Sequence, residues 1–383
     1  MSDWKEYKFS DFVEINPSVK IPKGIPVSFV EMKDLDCSVR YCESSQLKEL
    51  TGGSRFMNGD TLFARITPCL ENGKICQVRN LKNGYGFGST EFHVFRGKEG
   101  VSDNDFVYYF SRWDEVRDFA EHNLEGSSGR QRVSKEAFDN LFLILPPLPT
   151  QRRIAAILSS LDDKIDLLRR ENATLEAMAE TLFRQWFVVE AKEGWEEGKL
   201  GDWVVIKRGG SPRPINDYIA PSGYRWLKIS DVTNLNSPYI FQTKEYIKES
   251  GLQKTVYLRK GSLVLSNSAT PGIAKILCVD SCIHDGWLYF PKSSFSKIYL
   301  YLLFKYIRED LVNLGNGSIF TNLKTDILKD YKVVKPDAKT LENFDHHVHP
   351  IFDKLYSNDI QIQTLIQTRD GLLPKLMSNE ITI

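Results

Sequence analysis

The chain of 383 residues is written twice. Trp4-Lys5-Glu6 returns as Trp195-Glu196-Glu197, and Gly126-Ser127-Ser128 returns as Gly317-Ser318-Ile319, each 191 residues later. Pro146 and the helical pattern behind it return from Pro336, 190 residues later. Solenoid repeats run about 20–50 residues. A period this long means two copies of a whole module, each ending in a helix. Each half is long enough to bury a core of its own. Two diverged copies on one chain can meet an asymmetric partner at two places.

Within each copy, short apolar runs alternate with Gly, Asn, Ser and Pro, as strands and loops do. Residues 25–30, 61–64 and 92–95 read as strands, and residues 105–113 and 297–305 read as buried helices. Leu145-Pro-Pro-Leu-Pro-Thr150 marks a stiff boundary, because proline fits neither a helix interior nor a central strand. Residues 151–187 then contain no Gly or Pro and predict a helix about 55 Å long. A second helix is expected through roughly residues 340–378, with Pro350 making a separate turn or kink and Pro374 a second kink or early stop.

The first helix carries an apolar heptad stripe: Leu158, Leu161, Ile165, Leu168, Asn172, Leu175, Ala179, Leu182 and Trp186. A shift of 190 gives Val348, Ile351, Leu355, Asn358, Ile362, Leu365, Arg369, Leu372 and Leu376. Asn172 is an a position and Asn358 a d position, so an antiparallel pair places them in one layer. Their numbers sum to 530, and keeping that sum matches Leu168 with Ile362, Ile165 with Leu365, Leu175 with Leu355 and Leu158 with Leu372. Leu161 then meets Arg369, whose stem can cover the leucine while its head reaches water. Parallel pairing would bury two amides without partners, at about 1–3 kcal/mol each. The expected fold is therefore α+β (mixed α/β): two similar globular domains separated by a long antiparallel two-helix coiled coil, with pseudo-twofold internal repetition. The expected boundaries are 1–145, 146–190, 191–335 and 336–383.

Composition narrows function by exclusion. The formal net charge is zero, so any case for a nucleic-acid partner rests on local charge. No apolar run approaches the roughly 20 residues of a membrane span. The polar start lacks a signal-peptide core, so a cytoplasmic location is expected. The six cysteines show no CxxC spacing and read as reduced structural thiols. His346, His347 and His349 lack an acidic or cysteine partner at ligand spacing and read as polar helix residues, so no metal or cofactor is expected. Asp162-Asp163 reads as solvated charge. No dinucleotide fingerprint, Walker A loop, nucleophile elbow or zinc-protease motif occurs, which weighs against an enzyme.

What remains is polar loops at matching places in the two copies. Residues 126–135 offer Ser127, Ser128, Arg130, Gln131 and Arg132 without an acid, and their counterpart at 315–324 offers Asn316, Ser318 and Asn322. Residues 64–74 offer Arg65, Thr67, Asn72 and Lys74, matched by Ser266, Asn267, Ser268 and Thr270 in residues 265–275. A third loop offers Lys207, Arg208, Ser211 and Arg213. These side-chain types hydrogen-bond phosphates and base edges. Their divergence between copies suits two readers of different sequences.

Four segments carry a family resemblance. Leu145-Pro-Pro-Leu-Pro-Thr150 with residues 151–165 and the run Ile360 to Met377 resemble the two conserved helical regions of type I restriction-modification specificity subunits. Trp226-Leu-Lys-Ile-Ser-Asp-Val232 and Gly59-Asp-Thr-Leu-Phe-Ala64 are similar to phrases of that family's target-recognition domains. The resemblance implies two target-recognition domains, each reading half of a bipartite, asymmetric site in double-stranded DNA. It also implies a helical spacer that sets half-site separation and docks two methyltransferase subunits, with restriction/translocase subunits completing the complex. It implies no catalysis by this chain, no cofactor and no membrane. The alternatives are a non-enzymatic interaction scaffold with two ligand-binding modules on a coiled-coil rod, and a nuclease or methyltransferase with an unrecognised site.

Overall fold

The computed structural model describes residues 3–127, 129–315 and 323–383. The chain resolves into two compact units, Met1–Leu167 with Ile362–Ile383, and Leu168–Gln361.

In the first unit the central sheet has the spatial order Val13–Ile15, Phe92–Gly97, Thr61–Ala64, Ile75–Val78, Tyr41–Cys42. Its inner strands Thr61–Ala64 and Ile75–Val78 are buried on both faces, and alternation assigns each face to a different core. Phe63, Ile75 and Phe95 point into an aromatic cluster with Phe9, Phe12, Phe106, Phe110 and Phe138. Their neighbours Leu62, Cys76 and Val94 point into a second cluster with Val30 and Phe56. The second cluster lies under a four-stranded sheet ordered Gln46–Glu49, Pro26–Val30, Tyr85–Gly88, Ser54–Met57. The helix Asn104–Arg112 closes the aromatic side. It starts where Asp103 accepts hydrogen bonds from the Asp105 and Phe106 amides, and ends where Trp113 turns extended.

The second unit repeats this plan with diverged side chains. Its central sheet runs Val204–Arg208, Trp287–Ser293, Leu263–Ser266, Ala274–Leu277, Tyr239–Ile240, the same order strand for strand. The edge strand is parallel to its neighbour in both units. Leu265, Ile276 and Leu288 face one core, and Val264, Leu277 and Trp287 face the other. The helix Lys297–Tyr306 is capped by Ser296 and corresponds to Asn104–Arg112.

The first long helix runs Leu148–Arg184 and passes into a π-helical turn, Gln185–Val189. Pro149 lies in its first turn, where a missing amide costs nothing. The second runs unbroken Ala338–Met377 through both Pro350 and Pro374, contrary to the expected interruption. Phe344, Val348, Phe352 and Leu355 explain it: one face on either side of exposed Pro350, buried in one core. Burying four such side chains contributes about 1.5–3 kcal/mol each, more than the roughly 3 kcal/mol that an internal proline costs. Leu372, Leu373, Leu376 and Met377 anchor the helix around Pro374 in the first unit.

Each unit contains its own antiparallel stretch of these helices. In the second, Asn358 Nδ2 donates to Asn172 Oδ1 at 2.9 Å. The amides do not stand alone: Asn172 Nδ2 donates to Asp359 Oδ1 at 2.9 Å, and Asn358 Nδ2 also reaches Glu171 at 3.1 Å. Leu175, Ala179 and Leu182 share one core with Leu355, Ile351 and Val348, and Trp186 packs on Phe344 at 5.7 Å. Leu168 and Ile362 are each buried.

In the first unit Leu158 and Leu372 share a core, Ile165 is buried, and Leu161 and Leu365 are half-buried. Here Arg369 departs from expectation. Its head does not reach water: Arg369 Nη1 donates to Asp162 Oδ1 at 2.6 Å, and the two residues are only 4% exposed. Asp162, read as solvated, also accepts from Tyr109 Oη at 2.7 Å, whereas Asp163 stays exposed. Arg369→Ala should therefore destabilise the first unit by about 3–5 kcal/mol, because it leaves a buried carboxylate unpaired. An Asp162→Leu/Arg369→Leu double variant should recover much of that loss in urea denaturation. A double variant worse than the single would contradict this account.

Candidate nucleic-acid interface

In the first unit the loops at 64–74 and 126–135 form one structure. The amide of Thr67 donates to Gln131 O at 3.0 Å, Gln131 N returns to Thr67 Oγ1 at 3.1 Å, and Val133 N donates to Arg65 O at 2.9 Å. Glu91, from the turn before the central strand Phe92–Gly97, joins them. It accepts from Arg132 Nε at 2.8 Å and Nη2 at 2.6 Å, while its backbone carbonyl takes the Arg65 amide. The paired guanidinium holds the Glu91 carboxyl below its ordinary range.

These contacts sort the expected residues. Arg132 is engaged by Glu91, Thr67 is buried in the loop joint, and Lys74 donates inward to Met32 O at 2.7 Å. All three shape the loop pair rather than stand free as the sequence reading expected. Ser127, Arg130 and Asn72 are exposed, Gln131 is half-exposed, and Arg130 has no side-chain partner among the described residues. Ser128 lies outside the described residues.

In the second unit the organiser is Asp285, on the turn before Trp287–Ser293. Ser211 Oγ donates to Asp285 Oδ1 at 2.6 Å, Arg213 Nη2 to Oδ2 at 3.2 Å, and Asn267 Nδ2 to its backbone carbonyl at 3.3 Å. Arg208 Nε donates to the same carbonyl at 2.5 Å. The Ser211 hydrogen bond, with Arg208 and Arg213 nearby, lowers the Asp285 carboxyl below its usual range. Gly209 lets the loop come this close: a Cβ there would lie 2.2 Å from His284 O.

Ser266 is fully buried, donating to Thr270 O at 2.6 Å and accepting from Ile273 N at 2.8 Å, and Asn267 is also buried. They set the loop's shape instead of facing solvent. Ser268 and Thr270 are half-exposed, and Lys207 is exposed without a side-chain partner among the described residues. Asn316, Ser318 and Asn322 lie outside the described residues. The three histidines at 346, 347 and 349 are exposed on the second long helix, and no group of three or more metal-ligating side chains occurs among the described residues.

Both organising acids escaped the sequence reading. Glu91 lies 41 residues from Arg132, and Asp285 lies 74 from Ser211. Their signal was positional: each precedes the same strand of its copy.

A family model described as the type I restriction modification DNA specificity domain matches residues 1–177 and again 192–368. The type I restriction enzyme HindI specificity subunit of Haemophilus influenzae is 26% identical over 470 residues, covering all of both chains. The MjaIX specificity subunit of Methanocaldococcus jannaschii is 22% identical over 429 residues, covering all of this chain and 94% of that one. Among solved structures, the type I restriction-modification S subunit from M. genitalium matches in fold. Its TM-score is 0.54 at 14% identity, over 98% of this chain and 96% of that one.

Behind the first loop pair sits His93, fully buried, with Nε2 3.0 Å from Val133 O, so Nε2 carries the proton. Burial lowers its pKa to about 4 and keeps the ring neutral. Its contribution to stability is complete above the unfolded histidine value of about 6.5 and is lost as pH falls from there toward about 4. His93→Gln keeps a donor for Val133 and should flatten the pH dependence of stability between about 6.5 and 4.5. Equal slopes for variant and parent would contradict the neutral buried ring.

Proposed function

We propose how this chain, which belongs to the family of type I restriction-modification DNA specificity subunits, divides its work: each domain reads one half of a bipartite DNA site. As a specificity subunit it recognises DNA, performs no catalysis itself and works with other subunits of its complex. The observation that carries the division is the identical strand order of the two units' central sheets beneath loops of different chemistry. Around Glu91 the first domain leaves Arg130 exposed; around Asp285 the second gathers Arg208, Ser211, Arg213 and Asn267. Arg130, Gln131, Asn72 and Ser127 are the base and phosphate contacts of the first domain. Lys207, Arg208, Arg213, Ser268 and Thr270 are those of the second.

The partners are double-stranded DNA, two methyltransferase subunits docked along the long helices, and restriction/translocase subunits in the full complex. The length of those helices sets the number of base pairs between half-sites. The work is cytoplasmic; no helix among the described residues is long and apolar enough to cross a membrane. The scaffold reading predicts binding indifferent to the phosphate backbone, whereas DNA binding weakens steeply with salt.

Arg130→Ala should relax or weaken recognition at one half-site only, costing about 1–3 kcal/mol. Equal loosening at both half-sites, read by methylation of a randomised target library, would contradict the division. Deleting one heptad from each long helix should shorten the spacer by about 3 base pairs, since seven helical residues rise about 10.5 Å and a base pair about 3.4 Å. An unchanged spacer would count against the ruler.

A further inference from the structure

The arginines of the first unit's sheets and loops are mostly spoken for. Arg40, Arg79, Arg96, Arg117 and Arg132 each have a carboxylate partner. Arg112 donates to Cys37 O and Tyr108 Oη. Besides exposed Arg130, Arg55 and Arg65 have no carboxylate partner among the described residues. Arg55, on the exposed face of Ser54–Met57, has one long bond, from Nη1 to Val19 O at 3.5 Å. Arg65 Nε is buried without a hydrogen-bond partner among the described residues. A donor left so is costly unless a ligand completes it.

The two arginines line the same cleft of about 410 Å³. Its walls come from the turn after Val13–Ile15, the strand Ser54–Met57 and the turn before Phe92–Gly97, with the hydroxyls of Ser18 and Thr90 among them and no carboxylate. Asn16 also lines it, but its acceptor oxygen is taken by the Val94 amide at 2.9 Å. A cleft of the second unit, walled by the segment after Val204–Arg208 but otherwise by different strands, contrasts with it. There Lys228 pairs with Glu245 at 2.6 Å, so its wall offers acceptors as well as donors.

We propose that the Arg55–Arg65 cleft seats a backbone phosphate of the DNA bound by the first domain. This rests on the DNA-reading function argued above. A guanine edge offers acceptors alone as well, so shape decides between it and a phosphate, which presents only acceptors to a wall rich in donors. Forked guanidiniums suit its geometry. A concave seat also fits a protruding phosphate, whereas base edges lie deep in a groove and need a projecting side chain such as Arg130. The cleft positions the duplex and contributes affinity without sequence preference.

The test uses the full chain assembled with the modification subunits of its own system. Binding is titrated against salt on duplexes carrying the mapped site and on poly(dI·dC). Arg55→Ala should lower the magnitude of the salt slope by about 0.9, so the variant loses about 3.5-fold less affinity than the parent between about 50 and 200 mM salt. Both DNAs should be affected alike and half-site selectivity kept, and Arg55→Lys should restore most of the slope. Altered selectivity at one base position with an unchanged slope would overturn the phosphate assignment in favour of a base contact. An unchanged slope and selectivity would overturn it too, even if inorganic phosphate still bound the cleft. If the parent complex bound neither duplex, the DNA-reading function itself would fail.

Discussion

Register in the long helices depends on polar groups that cannot be buried alone. In one unit the Asp162–Arg369 pair is held at 2.6 Å with Tyr109 completing the carboxylate; in the other Asn172 and Asn358 close a network with Glu171 and Asp359. Sliding either pair by a turn would strand buried donors and acceptors, which costs more than leucine layers alone would impose. The apolar positions supply most of the burial, and the polar ones select a single arrangement of it. The two units use different chemistry for the same purpose. Tyr109 donates to Asp162, while Tyr301, at the matching place in the second unit, donates to Glu176 and packs edge-on against Phe352.

On that frame the duplicated sheets act as constant scaffolds. Five strands in one order, the inner ones buried on both faces, leave little freedom at the core. The loops at the strand ends are where the copies part. An acid just before the same strand organises both sets, yet Glu91 fixes one arginine bidentately and Asp285 gathers two arginines, a serine and an asparagine. Repetition of the fold with divergence of its loops is what a chain needs to read two different half-sites.

Much of this was legible in the amino-acid order because it follows short periods. Heptads placed Asn172 opposite Asn358, and apolar runs located Thr61–Ala64, Phe92–Gly97 and the helix Lys297–Tyr306. What escaped depends on distant partners. Nothing local says that Asp162 is buried by Tyr109 and Arg369, or that Glu91 captures Arg132. Pro350 misled because helix propensity is weighed residue by residue, while Phe344, Val348, Phe352 and Leu355 hold the helix through it by burial. Arg55 was invisible for the same reason: its significance is that most arginines of its unit have a carboxylate partner and it has none.

The central claim is that one chain reads two different words. Mapping every methylated site in DNA modified by the assembled complex tests it most directly. The account predicts a bipartite target whose halves differ in sequence across a spacer of fixed length. A continuous target, or a palindrome with identical halves, would contradict it.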